Sequence, residues 1–221
     1  MSIRPPLVVD RGTVWTVTLD RPERANALSP DLVEALHGVL DEAAAADPLA
    51  LVLRGNARHF AAGFDLTALE LETDATLAHR FLRIGLLLER LSAAPYLTVA
   101  VADGAAVGAG ADLVLACDAR LVATEVTLRF PGSAFGVVLG ATRRRMLEDY
   151  DSLVTGTPGQ LAELLTEWVG WPADRRAVVL ADRPHHDTDA ELAALARSVA
   201  TPGLRDRIAA YAGRTLVKES A

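Results

Sequence analysis

Two short glycine-bearing segments, residues 59–65 and 104–112, constrain the fold of this chain more than any other feature of its sequence. Each follows an apolar run typical of a strand and leads towards a stretch typical of a helix. A strand-to-helix turn leaves main-chain N–H groups without partners, and glycine with small neighbours lets a ligand approach them closely. The sequence therefore predicts two strand–turn–helix units with main-chain donors available at each turn.

The same alternation extends through the rest of the N-terminal part of the chain. The predicted strands cover residues 14–19, 49–53, 97–101 and 119–123. One predicted helix begins at Ser29-Pro30-Asp31. Two others cover residues 77–91 and 111–117. Strands and helices in this order predict right-handed crossovers and a largely parallel sheet, which is an α/β fold. Beyond about residue 141 the pattern predicts helices only, as a docking or oligomerisation element.

Composition limits the classes of function. The chain has 221 residues, enough for one sizeable core, and a net charge of −7, which argues against a general nucleic-acid surface. No apolar run approaches the roughly 20 residues of a membrane span, and the first residues lack the apolar core of a signal peptide. The single cysteine, Cys117, lies in an apolar run and is predicted to be a buried thiol. These features favour a cytoplasmic protein.

The two glycine turns predict chemistry only as a pair. Two facing turns could hold the oxygen of a thioester as it becomes an enolate, which is the logic of an oxyanion hole and needs no cofactor. Tight packing of a helix on a strand is an equally ordinary use of such glycines. A dinucleotide fingerprint would need a further glycine where Leu113 stands. Asp65 in the first turn has the alternative role of a helix cap.

Asp112 is the most informative ionisable residue, because it lies two residues beyond Gly110 in an otherwise apolar helix. A carboxylate facing a closed apolar site has its pKa raised by desolvation, which suits proton transfer near neutral pH. The alternative is a solvent-facing Asp in the first helical turn, favoured by the helix dipole. Residues 143–145, all arginine, are predicted as an exposed helix face, and residues 185–187 as a solvated loop.

Three segments in a fixed order resemble the enoyl-CoA hydratase/isomerase, or crotonase, superfamily. Residues 17–28 resemble its opening signature, residues 51–66 its first oxyanion segment, and residues 99–118 its second. The similarity covers roughly residues 8–147. It implies a crotonase-like spiral of ββα units over residues 1–140, followed by a C-terminal helical oligomerisation region over residues 141–221.

The resemblance also implies a substrate and a site. Members of the superfamily bind acyl-CoA thioesters and assemble as homotrimers or homohexamers, and coenzyme A enters here only as part of the substrate, with no other cofactor and no metal. The oxyanion donors would be the amides of Phe64 and Ala109, the second standing where the family usually has glycine. The residues expected to contact coenzyme A are Arg24, Ala25, Ala27, Ala62, Gly63, Phe64, Asp65, Leu66 and Gly108.

Hydratases of this superfamily use two glutamates. Asp112 aligns with the first, but the position of the second is Gly132, and the neighbouring Ser133 cannot take a proton at neutral pH without a base beside it. A single carboxylate can move a double bond, so the resemblance implies isomerase or atypical hydratase chemistry with Asp112 as general acid/base. The alternative is an acyl-CoA-binding or auxiliary subunit with little or no turnover.

Overall fold

The computed structural model describes residues 5–139, 153–183 and 187–219, with side chains to residue 213. Three of the sequence-based predictions fall outside these ranges: the arginine run at 143–145, residues 185 and 186 of the predicted loop, and the boundary at residues 140 and 141. Within them, no helix has both the length and the apolar character needed to cross a lipid bilayer.

The fold is built from two sheets and the helices around them. The strands are β1 Leu7–Arg11, β2 Val14–Leu19, β3 Ala50–Arg54, β4 His59–Ala61, β5 Leu97–Ala102, β6 Ala105–Val107, β7 Ala119–Ala123, β8 Leu128–Arg129 and β9 Leu153–Gly156. The helices are α1 Pro30–Ala46, α2 Asp74–Ser92, α3 Ala109–Ala116, α4 Pro158–Val169, α5 Ala173–Ala181, α6 Thr188–Val199 and α7 Leu204–Glu219. Short 3-10 turns lie at Pro22–Arg24, Leu69–Leu71 and Pro131–Phe135.

The larger sheet has the order β1-β2-β3-β5-β7-β9 and is parallel except for the β1–β2 pair. The smaller sheet is parallel and has the order β4-β6-β8. From β3 to β9 the strands therefore alternate between the two sheets, so that β3–β4 is followed by α2 and β5–β6 by α3. This is the predicted spiral of ββα units, and it stacks equivalent turns of the chain on one another.

Local signals set the helix starts as the sequence predicts. The Ser29 hydroxyl accepts a hydrogen bond from Leu32 N (3.3 Å), which caps α1, and Pro30 occupies its first position. Thr73 caps α2 in a reciprocal capping box with Thr76. The large sheet is buried on both faces, against α1, α2 and α3 on one side and α4 on the other.

The prediction of helices only beyond residue 141 is wrong at β9. This four-residue strand pairs in parallel with β7, from Leu153 opposite Arg120 to Gly156 opposite Ala123, and extends the large sheet. A run of four residues ending in glycine has too little periodicity to be distinguished from a turn by sequence alone. Its hydrogen-bond partners come from the edge of β7, which is a tertiary effect.

Cys117, at the end of α3, is a free and buried thiol, as predicted. Its Sγ donates to the carbonyl of Leu113 (3.5 Å), and burial raises the pKa of the thiol well above its ordinary value. The thiol is therefore part of the core packing of α3.

Candidate active site

The two glycine turns identified in the sequence are in direct contact. A methyl group placed on Gly63 would lie 2.5 Å from the Val107 carbonyl oxygen and 3.3 Å from Ala109 N. One placed on Gly110 would lie 2.3 Å from the carbonyl oxygen of Ala61. Only residues without a Cβ allow the backbones to approach this closely, so these glycines join the first turn to the start of α3.

Substituting Gly63 with Ala is expected to lower the free energy of unfolding by about 2–5 kcal/mol, because backbone strain at a positive φ and steric overlap of the added methyl act together. Gly63 has a φ of +88°, which disfavours residues with a Cβ, and the new methyl would collide with backbone atoms. Gly159→Ala in α4 is the matched control, since no atom lies within 4 Å of the added methyl. Thermal unfolding measures both, and a Gly63→Ala variant with the wild-type melting temperature would contradict this packing.

The segment that follows β2 supports the first turn. Leu28 N donates to the carbonyl of Gly63 (2.7 Å), and Asp65 N donates to the carbonyl of Leu28 (3.4 Å). Asn26, which is fully buried, donates from Nδ2 to the carbonyls of His59 and Phe60 (both 3.1 Å). Sequence reasoning missed the role of Asn26, because its partners lie more than thirty residues away.

The three residues of this segment predicted to contact coenzyme A lie beside the first turn. Arg24 is exposed at the end of its 3-10 turn, and the carbonyl of Ala25 accepts a hydrogen bond from Ala62 N (3.0 Å). The carbonyl of Ala27 accepts from Arg21 Nη1 (2.5 Å). None of the three lines the cavity that opens at the two glycine turns, so their contact with coenzyme A stays a prediction.

Asp65 does not cap a helix, which corrects one of its two predicted roles. Its Oδ1 accepts from Thr67 N (2.9 Å) and its Oδ2 pairs with Arg21 Nη1 (2.9 Å). Burial alone would raise the pKa of this carboxyl, but the hydrogen bonds from Thr67 and Arg21 outweigh it, and the pKa is lowered. Asp65 therefore ties the first turn to the end of β2.

Asp65→Asn is expected to lower the free energy of unfolding by about 1–3 kcal/mol at pH 7, because it leaves Arg21 without its buried anion. A lowered pKa in the folded state means that this contribution is complete above the ordinary Asp value and is lost as pH falls through the folded value. The difference between the two proteins should thus shrink below about pH 4.

Denaturant unfolding between pH 2 and pH 7 measures that difference. Asp103→Asn is the control, since it removes a more exposed ion pair with Arg54 (2.9 Å) and is expected to cost less than about 1 kcal/mol. A difference between wild type and Asp65→Asn that does not change with pH would contradict the assigned role of Asp65.

Two main-chain amides at the joined turns are available to a ligand. Neither Phe64 N nor Ala109 N donates to another residue in the described part of the chain, whereas Asp65 N and Asp112 N donate to main-chain carbonyls. Ala109 is the first residue of α3, where helix geometry leaves N–H groups without intrahelical partners. Alanine at this position keeps the amide, and its Cβ is accommodated.

A cavity of about 930 Å³ opens at these amides. Its wall includes Ala62, Phe64 and Leu66 of the first turn, and Val107, Gly108 and Ala109 of the second. Residues 130–139 and one side of α7 complete it, and most of the wall is apolar. A ligand in this cavity is therefore within reach of both turns and is covered by the C-terminal helix of the same chain.

Asp112 lines this cavity and is only 4% exposed, so the alternative of a solvent-facing residue is wrong. Gly132 lines it as well, and Ser133 is exposed. Sequence reasoning missed Glu70, an exposed residue at the rim of the cavity. Among the described residues, Asp112 and Glu70 are the carboxylates that line the cavity, and no cluster of His, Cys, Asp and Glu there could hold a metal ion.

Sequence reasoning also missed the role of Arg80 on α2. Its guanidinium lies 4.1 Å from the centre of the Phe64 ring, donates to the carbonyl of Asp65 (2.6 Å) and pairs with Glu72 (2.6 Å). These contacts hold the Phe64 ring and the Asp65 carbonyl, which lie on either side of the peptide bond that joins the two residues. Arg80 therefore orients the loop that carries the Phe64 amide.

A sequence profile of the enoyl-CoA hydratase/isomerase family matches residues 10–149 of the chain. The chain belongs to this family. The match covers both glycine turns and the segment that supports them, so the predicted superfamily is confirmed. The α/β crotonase fold is confirmed with it, because solved structures of the family superimpose on nearly the whole chain.

Among solved structures, one assigned as an enoyl-CoA hydratase/isomerase from Bordetella parapertussis matches with a TM-score of 0.85 and 36% identity, over 94% of this chain and 98% of that one. An enoyl-CoA hydratase from Bacillus anthracis matches with a TM-score of 0.71 and 21% identity, over 95% of this chain and 96% of that one, and supports the fold alone.

Curated relatives align over a shorter part. A probable enoyl-CoA hydratase, echA6, of Mycobacterium tuberculosis is 38% identical over 132 residues, which is 60% of this chain and 52% of the relative. The 2,3-dehydroadipyl-CoA hydratase of Escherichia coli is 36% identical over 138 residues, which is 61% of this chain and 53% of the relative. The matched regions thus span about half the length of these family members.

Proposed function

We propose that this family member acts on an acyl-CoA thioester through an oxyanion-stabilised enolate, by isomerase or atypical hydratase chemistry. The observation that carries the proposal is the contact between the two turns, with Gly63 against Ala109 N and the buried Asp112 on the same cavity. Two relatives are described as a probable enoyl-CoA hydratase and a 2,3-dehydroadipyl-CoA hydratase, which supports an acyl-CoA thioester as the substrate.

In the proposed mechanism the thioester carbonyl oxygen accepts hydrogen bonds from Phe64 N and Ala109 N. These donors stabilise the negative charge that grows on the oxygen when a proton leaves the α-carbon. The apolar wall excludes water and so strengthens both bonds. The amides need no reorganisation, because the glycine contacts already hold the two turns together.

Asp112 is the proposed general acid/base. In isomerisation its carboxylate takes a proton from the α-carbon of a 3-enoyl thioester and returns it to the γ-carbon, and the double bond moves to the 2,3 position. The same group is protonated and deprotonated once in each turnover, so one carboxylate suffices. Hydration of a 2-enoyl thioester needs a further group to deprotonate water, and Gly132 offers none.

A second function, acyl-CoA binding with little or no turnover, is favoured by Gly132. This residue lines the cavity, and the family resemblance aligns it with the second glutamate of family hydratases, so the proposed site would keep its thioester contacts and lack one acid for hydration. An auxiliary subunit would use the same oxyanion donors to hold the thioester. Under both functions we propose a homotrimer or homohexamer, with Arg24, Ala25 and Ala27 beside the nucleotide of coenzyme A.

Two measurements on the wild-type protein test the proposal. Saturated and unsaturated acyl-CoA thioesters are expected to raise the melting temperature with increasing concentration, because they bind only the folded chain. A 3-enoyl-CoA is then expected to turn over faster than crotonyl-CoA in a spectrophotometric assay. Thioester binding without turnover of either compound would favour the auxiliary function, and absence of binding would overturn both.

A further inference from the structure

Four aromatic side chains form a continuous row along the cavity wall. The Phe64 and Phe81 rings stack with centroids 4.2 Å apart and an angle of 15° between their planes. Phe135 follows at 6.3 Å from Phe81, and Tyr211 at 5.3 Å from Phe135, both tilted. All four residues line the cavity, and they come from the first turn, α2, the 3-10 turn Pro131–Phe135 and α7.

Aromatic residues are concentrated at this site. The chain has five phenylalanines, and four of them, Phe64, Phe81, Phe130 and Phe135, line the cavity. Aliphatic residues would provide the same apolar area for a straight acyl chain, so area alone does not explain this concentration. Aromatic rings add a directional contact, since offset or tilted ring pairs contribute beyond the burial of their surface.

The row begins at the reacting end of the site. Phe64 supplies both the first ring and a proposed oxyanion donor, and Phe135 and Tyr211 line the same cavity as Ala109 and Asp112. The adenine of coenzyme A is separated from the thioester carbonyl by the long pantetheine arm. The position of the row therefore favours contact with the acyl group.

We propose that the acyl group of the substrate carries an aromatic ring, which packs against the Phe135 and Tyr211 end of the row, because Phe81 and Arg80 cover the two faces of the Phe64 ring and Phe81 is itself buried. This assignment rests on the proposed function, because it requires an acyl-CoA thioester in the cavity. The rings of Phe135 and Tyr211 are half-buried and tilted by 56° to one another, and both residues line the cavity. A substrate ring would continue the same offset and tilted pattern.

Calorimetric titration of the wild-type chain with two matched saturated thioesters tests the proposal. 3-Phenylpropanoyl-CoA and 3-cyclohexylpropanoyl-CoA have the same carbon skeleton, differ in the saturation and hence the planarity of the ring, and have no alkene to move or hydrate. The phenyl compound is expected to bind about five- to tenfold more tightly. Equal affinities, or a preference for cyclohexyl, would overturn the aromatic assignment and leave the proposed function intact; binding of neither would overturn both.

Variants identify the row as the source of the preference. Phe135→Leu is expected to reduce the phenyl preference to less than about twofold, and Tyr211→Leu, at the α7 end of the row, is expected to reduce it in the same direction. Trp168→Leu is the matched control, because this aromatic residue of α4 does not line the cavity and its loss should preserve the preference. A preference retained in both row variants would overturn the proposal.

Free coenzyme A separates the acyl ring from adenine as the partner of the row. Its affinity is expected to be the same for wild type and Phe135→Leu, because the nucleotide is proposed to lie beside Arg24, Ala25 and Ala27, none of which lines the cavity. An equal loss of affinity for free coenzyme A and for the phenyl thioester would show that the row binds the nucleotide, and would overturn the assignment.

Discussion

Replacing Asp112 with Asn is expected to lower kcat for migration of the double bond in a 3-enoyl-CoA by about 10²–10⁴-fold. Asp112 is 4% exposed and lines the cavity two residues beyond the glycine that fixes α3 against Ala61. The amide of Asn has nearly the same size but cannot accept the α-proton. Affinity for the thioester should change by less than about threefold, because the oxyanion donors are untouched.

Glu70→Gln is the matched control for that substitution. Glu70 is another carboxylate on the cavity wall, but it is exposed at the rim, so its loss should change kcat by less than about threefold. Equal rates for wild type and Asp112→Asn would remove Asp112 from the mechanism. A large loss in Glu70→Gln would instead give the rim carboxylate a part in proton transfer.

Replacing Gly132 with Glu is expected to raise kcat/KM for hydration of crotonyl-CoA by at least about 100-fold. Gly132 lines the cavity, and the nearest atom to an added methyl is the Val137 carbonyl oxygen at 3.4 Å, an ordinary contact distance. The backbone at this position therefore has room for a Cβ, and we expect the new carboxylate to reach the cavity that Asp112 also lines. One acid would then activate water while the other manages the α-carbon proton.

Ser133→Glu controls for the added charge. Ser133 is adjacent but exposed and outside the cavity wall, so a glutamate there should leave hydration unchanged. Absorbance at the enoyl-thioester band measures all three proteins. Hydration that is already fast in the wild type, or that rises equally in both variants, would contradict the claim that Gly132 limits this chemistry.

The parts of the fold that depend on local signals follow from the sequence. The β-branched run of β2, the Ser29-Pro30 start of α1 and the repeating apolar face of α2 each have their cause within a few neighbouring residues. The glycine turns can also be predicted from the sequence, because the close approach of two backbones requires glycine at Gly63 and Gly110. Their facing arrangement followed from the family resemblance.

The parts that depend on distant contacts do not follow from the sequence. β9 is a strand because the edge of β7 pairs with it, and Asp65 binds Arg21, forty-four residues away, where a local pattern suggested a helix cap. The aromatic row draws its rings from four separate elements. No local periodicity in the sequence predicts that the rings of Phe135 and Tyr211 are in contact.

A crystal structure of the protein with a saturated acyl-CoA, such as butanoyl-CoA, tests the central claim most directly. The two joined turns predict that the thioester carbonyl oxygen lies about 2.7–3.2 Å from both Phe64 N and Ala109 N, with Asp112 facing the α-carbon. A carbonyl oxygen more than about 4 Å from either nitrogen, in a fully occupied complex, would contradict the claim that these amides form an oxyanion hole.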